Sequence, residues 1–377
     1  MPVETTAAVL RRFGEAQTVE RIQLRDPGPG EVLVRLHAAG VCHSDVGQAD
    51  GDWPFPLPTV LGHEGAGTVE AVGPDVTDLA VGTRVVLSSA PGCGACEHCA
   101  GGRPILCWRS LAAMSDGVLT TGGTPLQGSD GPIASYALLS CFAEHAVVAV
   151  RSAVPLPPQV SFEVAALIGC AVITGVGAAV QTLEIAAGSR GAVIGAGGVG
   201  VNAIQGARLR GAAEIVAADS LRARLEQALR FGATDGLDVT DAARVEELRR
   251  LAPERGFDWT IVAVGNADAM RLGVDLTRPG GTTCVVGLMP QDRPVPVDLL
   301  ELVTYEKRIV GSAYGSLDPR ILIPRIIQLY LAGRLQLDEL VSTRLPLERI
   351  NEAFDLSRRA EGMRPVVTLL DEASPAR

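Results

Sequence analysis

The stretch Ala192-Val193-Ile194-Gly195-Ala196-Gly197-Gly198-Val199-Gly200 decides the fold. Three apolar residues read as a strand, and the next six follow the pattern G-x-G-x-x-G and open a helix. Gly195 permits a tight turn, Gly197 lets the backbone approach a pyrophosphate, and Gly200 allows close helix–strand packing. The helix start at Gly198 and Val199 offers free N–H groups and positive potential to phosphates. The following strand ends at Asp219, 19 residues beyond Gly200, where a carboxylate accepts hydrogen bonds from an adenosine ribose. A dinucleotide is the expected ligand. Because Asp219 repels a 2′-phosphate, NAD is favoured over NADP.

Outward from this loop, apolar runs (Ile215–Ala218, Trp259–Val264, Thr283–Val286) alternate with helical patterns (Val199–Arg210, Leu221–Phe231, Ala242–Leu251, Ala267–Leu276). That alternation predicts a parallel, doubly wound α/β sheet. Val264 and Val286, at two strand ends, are further candidate coenzyme contacts. The first 155 residues read differently. Short β-type runs (Val32–Leu36, Gly67–Val72, Arg84–Leu87, Ala143–Val150) are separated by Gly/Pro turns, as in a barrel or sandwich. Past a Gly-rich link near Tyr314 come helical patterns at Pro319–Ala332 and Leu347–Glu361 and a closing strand, Pro365–Leu370.

The chain has 377 residues, 47 % hydrophobic and 20 % charged, which supplies a sizeable core and rules out wholesale disorder. A net charge of −10 with no basic cluster excludes nucleic acid or an anionic membrane as a main partner. The start MPVETTAAVL lacks a signal-peptide pattern, so a cytoplasmic location is expected. Val164–Leu183 is uncharged for 20 residues. It contains Cys170, Thr174, Gln181, Thr182 and three glycines, lacks Trp/Tyr anchors, and reads as buried core.

Cys93, Cys96, Cys99 and Cys107 read C-x2-C-x2-C-x7-C within a Gly-rich excursion. Four thiolates in one small lobe satisfy tetrahedral Zn²⁺ with no open position, a structural site. Paired disulfides are disfavoured without a secretory signal. Cys42, in Gly40-Val41-Cys42-His43-Ser44-Asp45, and His63, in Gly62-His63-Glu64, would leave one zinc position open if a distant cysteine joined them. That is a catalytic pattern. Spacing alone leaves the third ligand open among Cys141, Cys170 and Cys284; Cys141 and Cys284 also suit the core.

Taken together, Gly40–Asp45, Gly62–Gly67, the four-cysteine lobe, Leu167–Thr174, Gly195–Gly200 and Asp219 resemble the zinc-dependent medium-chain alcohol dehydrogenases, in the liver-type and class III-like branch. The resemblance runs from the Gly-Pro-Gly turn near residue 30 to the terminal strand. It implies a GroES-like catalytic domain from residues 1–171 and 315–377, with the zinc lobe at about 91–110. A Rossmann NAD-binding domain, 172–314, is inserted between them. It also implies Cys170 as the third ligand and two zinc ions per chain. Glu64 resembles the carboxylate that approaches the metal during ligand exchange, Asp45 the carboxylate that orients His63, and Ser44 the hydroxyl that relays the substrate proton. His43 and Arg364 match basic residues facing the pyrophosphate. Arg224 matches one beside the adenosine ribose, and Thr174 matches the residue that packs behind the nicotinamide. The long loop after the lobe resembles dimeric members.

Several positions depart from the family pattern. Gly47 stands where many members end the proton relay with histidine, and Ala171 replaces a glycine. Trp53 and Leu111 occupy the places of the acidic and arginine residues that glutathione-using members carry. Ser89 stands in for an aromatic pocket wall, while Trp53 narrows the pocket from another side. The expected activity is NAD-dependent interconversion of a primary or aryl alcohol and its aldehyde. The alternatives are a formaldehyde dehydrogenase acting on a mycothiol-type adduct and, more distantly, a non-enzymatic binding relative.

Overall fold

The structure, a computed structural model, describes residues 2–291 and 293–369, and of 251–253 the backbone only. Residue 1 and residues 370–377 of the expected catalytic domain, Leu370 of the expected closing strand included, lie outside the described residues. The chain forms two compact units, Met1–Cys170 with Leu317–Arg377, and Ala171–Ser316.

In the first unit, five strands close a small barrel in the order Val3–Leu10, Thr18–Leu24, Leu126–Gly128, Gly131–Ser135, Thr59–Val60. Beside it lies a seven-stranded sheet whose central strand, Glu31–Gly40, carries the register that builds the site. Gly40 pairs with Glu64 on one neighbour and with Val366 on the other. The C-terminal strand, Arg364–Thr368, therefore arrives next to the segments after residues 40 and 62. Phe142 and Phe354, fully buried and edge-to-face at 5.7 Å, anchor a core shared by both segments of this unit.

The second unit is a six-stranded parallel sheet in the order Asp235–Asp238, Glu214–Asp219, Arg190–Ile194, Phe257–Val262, Thr277–Val285, Arg308–Gly311. Helices cover both faces, so its strands bury both sets of alternating side chains and read as apolar runs. Val193 and Ile261 pack on one face, Ala192 and Val262 on the other. Two expected strand ends shift. Val264 and Val286 stand two and one residues past the strands Phe257–Val262 and Thr277–Val285. The expected helix Leu347–Glu361 is a 3-10 turn, Leu347–Arg349, followed by the helix Ile350–Arg358. The run Phe162–Thr182 is long and apolar enough to cross a bilayer, yet 83 % of its most apolar window is buried in the protein.

Candidate active site and coenzyme loop

Cys42 caps the helix His43–Asp50 with extended backbone (φ −91°, ψ 154°), as a helix N-cap requires. The side chain of Asp45, fully buried, does the local work. Its Oδ2 accepts the Cys42 amide at 2.9 Å, while Oδ1 accepts the Gly62 amide at 3.2 Å and His63 Nδ1 at 2.8 Å. One carboxylate thus ties together the two segments that carry Cys42 and His63. It also fixes the imidazole tautomer and leaves Nε2 for a ligand. Cys170 comes from a π-helical turn, Ile168–Val172, a distortion common where a helix aims a functional side chain.

The ligand atoms of Cys42, His63, Glu64 and Cys170 lie within 4.8 Å of one another. The Cys170 thiol donates to Cys42 and lowers its pKa well below the ordinary thiol value, against burial and with help from Arg364 and His63. Burial raises Glu64 to about 7, and neither of its oxygens accepts a hydrogen bond. Arg364 stands 3.5 Å from Glu64 and donates to the Val41 carbonyl at 3.2 Å. Its guanidinium is thus directed at the cysteine–histidine cluster. Gly40 is required here, because a Cβ would overlap the Glu64 carboxylate. Two thiols, one imidazole and a buried carboxylate without a donor are a donor set that suits zinc.

The remaining candidates of this unit surround that cluster. Ser44 Oγ lies 3.7 Å from Cys42 Sγ. His43 is exposed at the helix start, Ser89 is buried and Trp53 half-buried. A Cβ on Gly47 would stand 3.0 Å from the Trp53 indole and 2.8 Å from Asp52 Oδ2, so the indole occupies the room a side chain at 47 would need. Sequence reasoning did not assign Tyr136. Its ring meets His63 edge-on at 5.9 Å and Phe55 at 5.5 Å. Burial, then Asp45 and the two thiols, raise its hydroxyl pKa, so it acts as a donor.

In the cysteine lobe, the sulfurs of Cys93, Cys96, Cys99 and Cys107 lie within 4.8 Å of one another, and all four are free thiols. Burial raises the Cys107 pKa, but amides of Ser110 and Cys93 outweigh it and hold it near 6. The Cys93 amide reaches Cys107 Sγ at 3.3 Å. Four converging thiols on a short turn also suit zinc.

In the second unit, Gly195 has φ +90°, and a Cβ on Gly200 would overlap the Gly195 carbonyl. The chain at Gly197, Gly198 and Val199 stays partly open at the start of the helix Gly198–Leu209. Asp219 Oδ2 accepts the Ala196 amide at 2.8 Å and Oδ1 the Leu221 amide at 3.0 Å. Arg224 lies 3.8 Å from the same carboxylate, whereas Arg222 is exposed and paired with Glu226. Val264 is 40 % exposed beside Gly195, Thr174 is buried, and Val286 packs against the sheet core.

Residues 28–158 match the family described as the alcohol dehydrogenase GroES-like domain, and residues 198–330 match the zinc-binding dehydrogenase family. A putative alcohol dehydrogenase D of Mycobacterium tuberculosis is 38 % identical, over 97 % of this chain and 100 % of its own. A geraniol dehydrogenase of Castellaniella defragrans is 37 % identical, over 97 % of this chain and 98 % of its own. The crystal structure of benzyl alcohol dehydrogenase from Acinetobacter calcoaceticus is 31 % identical. It superposes with a TM-score of 0.91, covering 98 % of this chain and all of that one.

Proposed function

Because the chain belongs to the zinc-binding alcohol dehydrogenase family, we propose that it converts a primary or aryl alcohol and NAD⁺ to the aldehyde, NADH and a proton, reversibly and without a thiol carrier. The observation that carries this is the convergence of Cys42, His63 and Cys170 in one buried cluster, with Asp45 holding two of the three segments. When bound there, zinc supplies Lewis-acid polarisation of the alcohol oxygen, and a nicotinamide coenzyme supplies the hydride acceptor.

The chain's own residues supply the rest. Cys42, Cys170 and His63 Nε2 hold the metal, and Asp45 keeps the imidazole in the donating tautomer. Ser44 Oγ relays the substrate proton, accepting it while it passes its own hydroxyl proton outward towards solvent. The amides around Gly197–Gly200 cradle the pyrophosphate, while Asp219 selects the ribose hydroxyls of NAD. The four-cysteine lobe holds a second, structural zinc. The first unit is assigned the alcohol chemistry and the second the coenzyme.

Trp53 and Leu111 supply neither the carboxylate nor the guanidinium that a glutathione adduct would use, which favours a free alcohol. A homodimer is proposed through the second unit. Its outermost strand, Arg308–Gly311, ends the sheet, and the helix Leu299–Thr304 nearby exposes Leu299, Leu300 and Val303 by 69–76 %. Elemental analysis tests the metal assignment. The expected content is two zinc per chain, with chelation removing activity before stability. One zinc in fully active protein contradicts the assignment.

A further inference from the structure

Residues 136–140 form a turn that is conformationally expensive and held from several sides. Ala137 (φ 52°), Leu138 (φ 64°) and Ser140 (φ 58°) all adopt left-handed backbone, which costs a non-glycine residue roughly 1 kcal/mol or more each. The amides of Leu139 and Ser140 both donate to the Tyr136 carbonyl at 3.0 Å. The Tyr136 amide donates to Ser140 Oγ at 3.0 Å, and that hydroxyl donates to the Val60 carbonyl at 2.9 Å. The next two amides, Cys141 and Phe142, donate to the carbonyls of Gly62 and Leu61. The strained turn therefore hangs on the segment that leads directly into His63.

What the turn delivers is one side chain. The Tyr136 ring backs His63 edge-on, and its hydroxyl donates to the Ser44 backbone carbonyl at 3.4 Å. Phe55 meets the same ring edge-on at 5.5 Å. Strain that persists only because its surroundings enforce it collects where geometry is functional.

We infer that Tyr136 is a positioning residue for the alcohol oxidation proposed above: its hydroxyl pins the first turn of the helix His43–Asp50, so that Ser44 Oγ stays beside Cys42 Sγ where the substrate proton leaves. The inference rests on that reading of the site. A loosened Ser44 slows proton transfer without altering how alcohol or coenzyme binds, because Tyr136 touches the relay through the backbone. Misplacement of a reacting group by a fraction of an ångström suffices to slow the step.

The test is Tyr136→Phe, which keeps the ring against His63 and removes only the donor. At saturating alcohol and NAD, kcat falls about tenfold, within the range for impaired proton transfer. KM for both substrates stays within about twofold, and the solvent deuterium isotope effect on kcat increases. Hydrogen exchange of the peptide covering residues 42–50 speeds up in the resting protein, while the peptide covering 190–219 is unchanged. An unchanged kcat and isotope effect overturns the inference, as does a raised alcohol KM at constant kcat, which would make Tyr136 a pocket wall only. Unchanged exchange at 42–50 overturns the tie to Ser44 by a measurement that needs no turnover. A wild-type protein without alcohol oxidation, but with faster exchange in the variant, instead overturns the functional reading and leaves Tyr136 a purely structural tie.

Discussion

Asp45 and His63 meet at 2.8 Å, Oδ1 to Nδ1, in a site where both side chains are buried. The same carboxylate holds the Cys42 amide, so the contact sets the position of two ligand segments. Loss of the negative charge is expected to disturb both. Asp45→Asn keeps the shape but replaces one acceptor with a donor facing N–H groups. Its affinity for the zinc of the cluster should fall by about 10–100-fold, the usual scale for a carboxylate behind a metal-bound histidine. Competition with a chelator measures this, and the four-cysteine zinc serves as the internal reference because it should be unaffected.

Coenzyme choice should turn on the charge of Asp219. Both of its oxygens already accept backbone amides of the loop, so removal of the whole side chain would damage the turn along with the selectivity. Asp219→Asn keeps one acceptor and removes the charge facing a 2′-phosphate. The ratio of kcat/KM for NADP to that for NAD should rise about tenfold or more, equivalent to roughly 1.4 kcal/mol or more. Arg224, 3.8 Å away, is then released to meet the phosphate. An unchanged ratio would show that the charge of Asp219 does not discriminate.

His37 should make the protein acid-sensitive. Its ring stacks on Phe162 at 4.2 Å, and its Nδ1 lacks a hydrogen-bond partner. Burial, then Arg35 and Arg84, lower its pKa from 6.5 to about 4. Above pH 6.5 the group is neutral both folded and unfolded, and its contribution is intact. As pH falls from 6.5 towards 4, the unfolded chain takes up a proton that the folded one refuses, and stability declines. His37→Gln should flatten this acid limb by about 1–2 kcal/mol, a figure reduced for the half-open ring. Urea unfolding of both proteins at pH 7.5 and 4.5 gives the difference.

Much of this architecture is legible in the sequence where a residue type has one physical use. The turn Gly195–Gly200 needs a positive φ and a close carbonyl approach that only glycine allows. The four-cysteine spacing on a short turn brings its sulfurs together. The barrel strands Val3–Leu10 and Thr18–Leu24 were missed because mixed polar and apolar residues give no clean alternation there. Gly47 reads from sequence only as a missing histidine; the Trp53 indole and the Asp52 carboxylate beside it crowd a Cβ at that position. Gly40 and Tyr136 were silent because their roles depend on the distant partners Glu64 and Ser44. The contact of Arg364 with Glu64 is likewise illegible in the sequence, because strand register creates it.

The most direct test of the account is NADH formation by zinc-replete protein given NAD⁺ and benzyl alcohol or geraniol with no thiol present. Parallel assays use the Cys170→Ala variant, whose four-cysteine lobe is intact. Thiol-independent turnover is expected in the wild type. The variant should lose one zinc of two and roughly 10³-fold or more in kcat, as expected when metal polarisation of the reacting oxygen is lost. Turnover that appears only after a low-molecular-weight thiol is added, or that survives intact in Cys170→Ala, would contradict it.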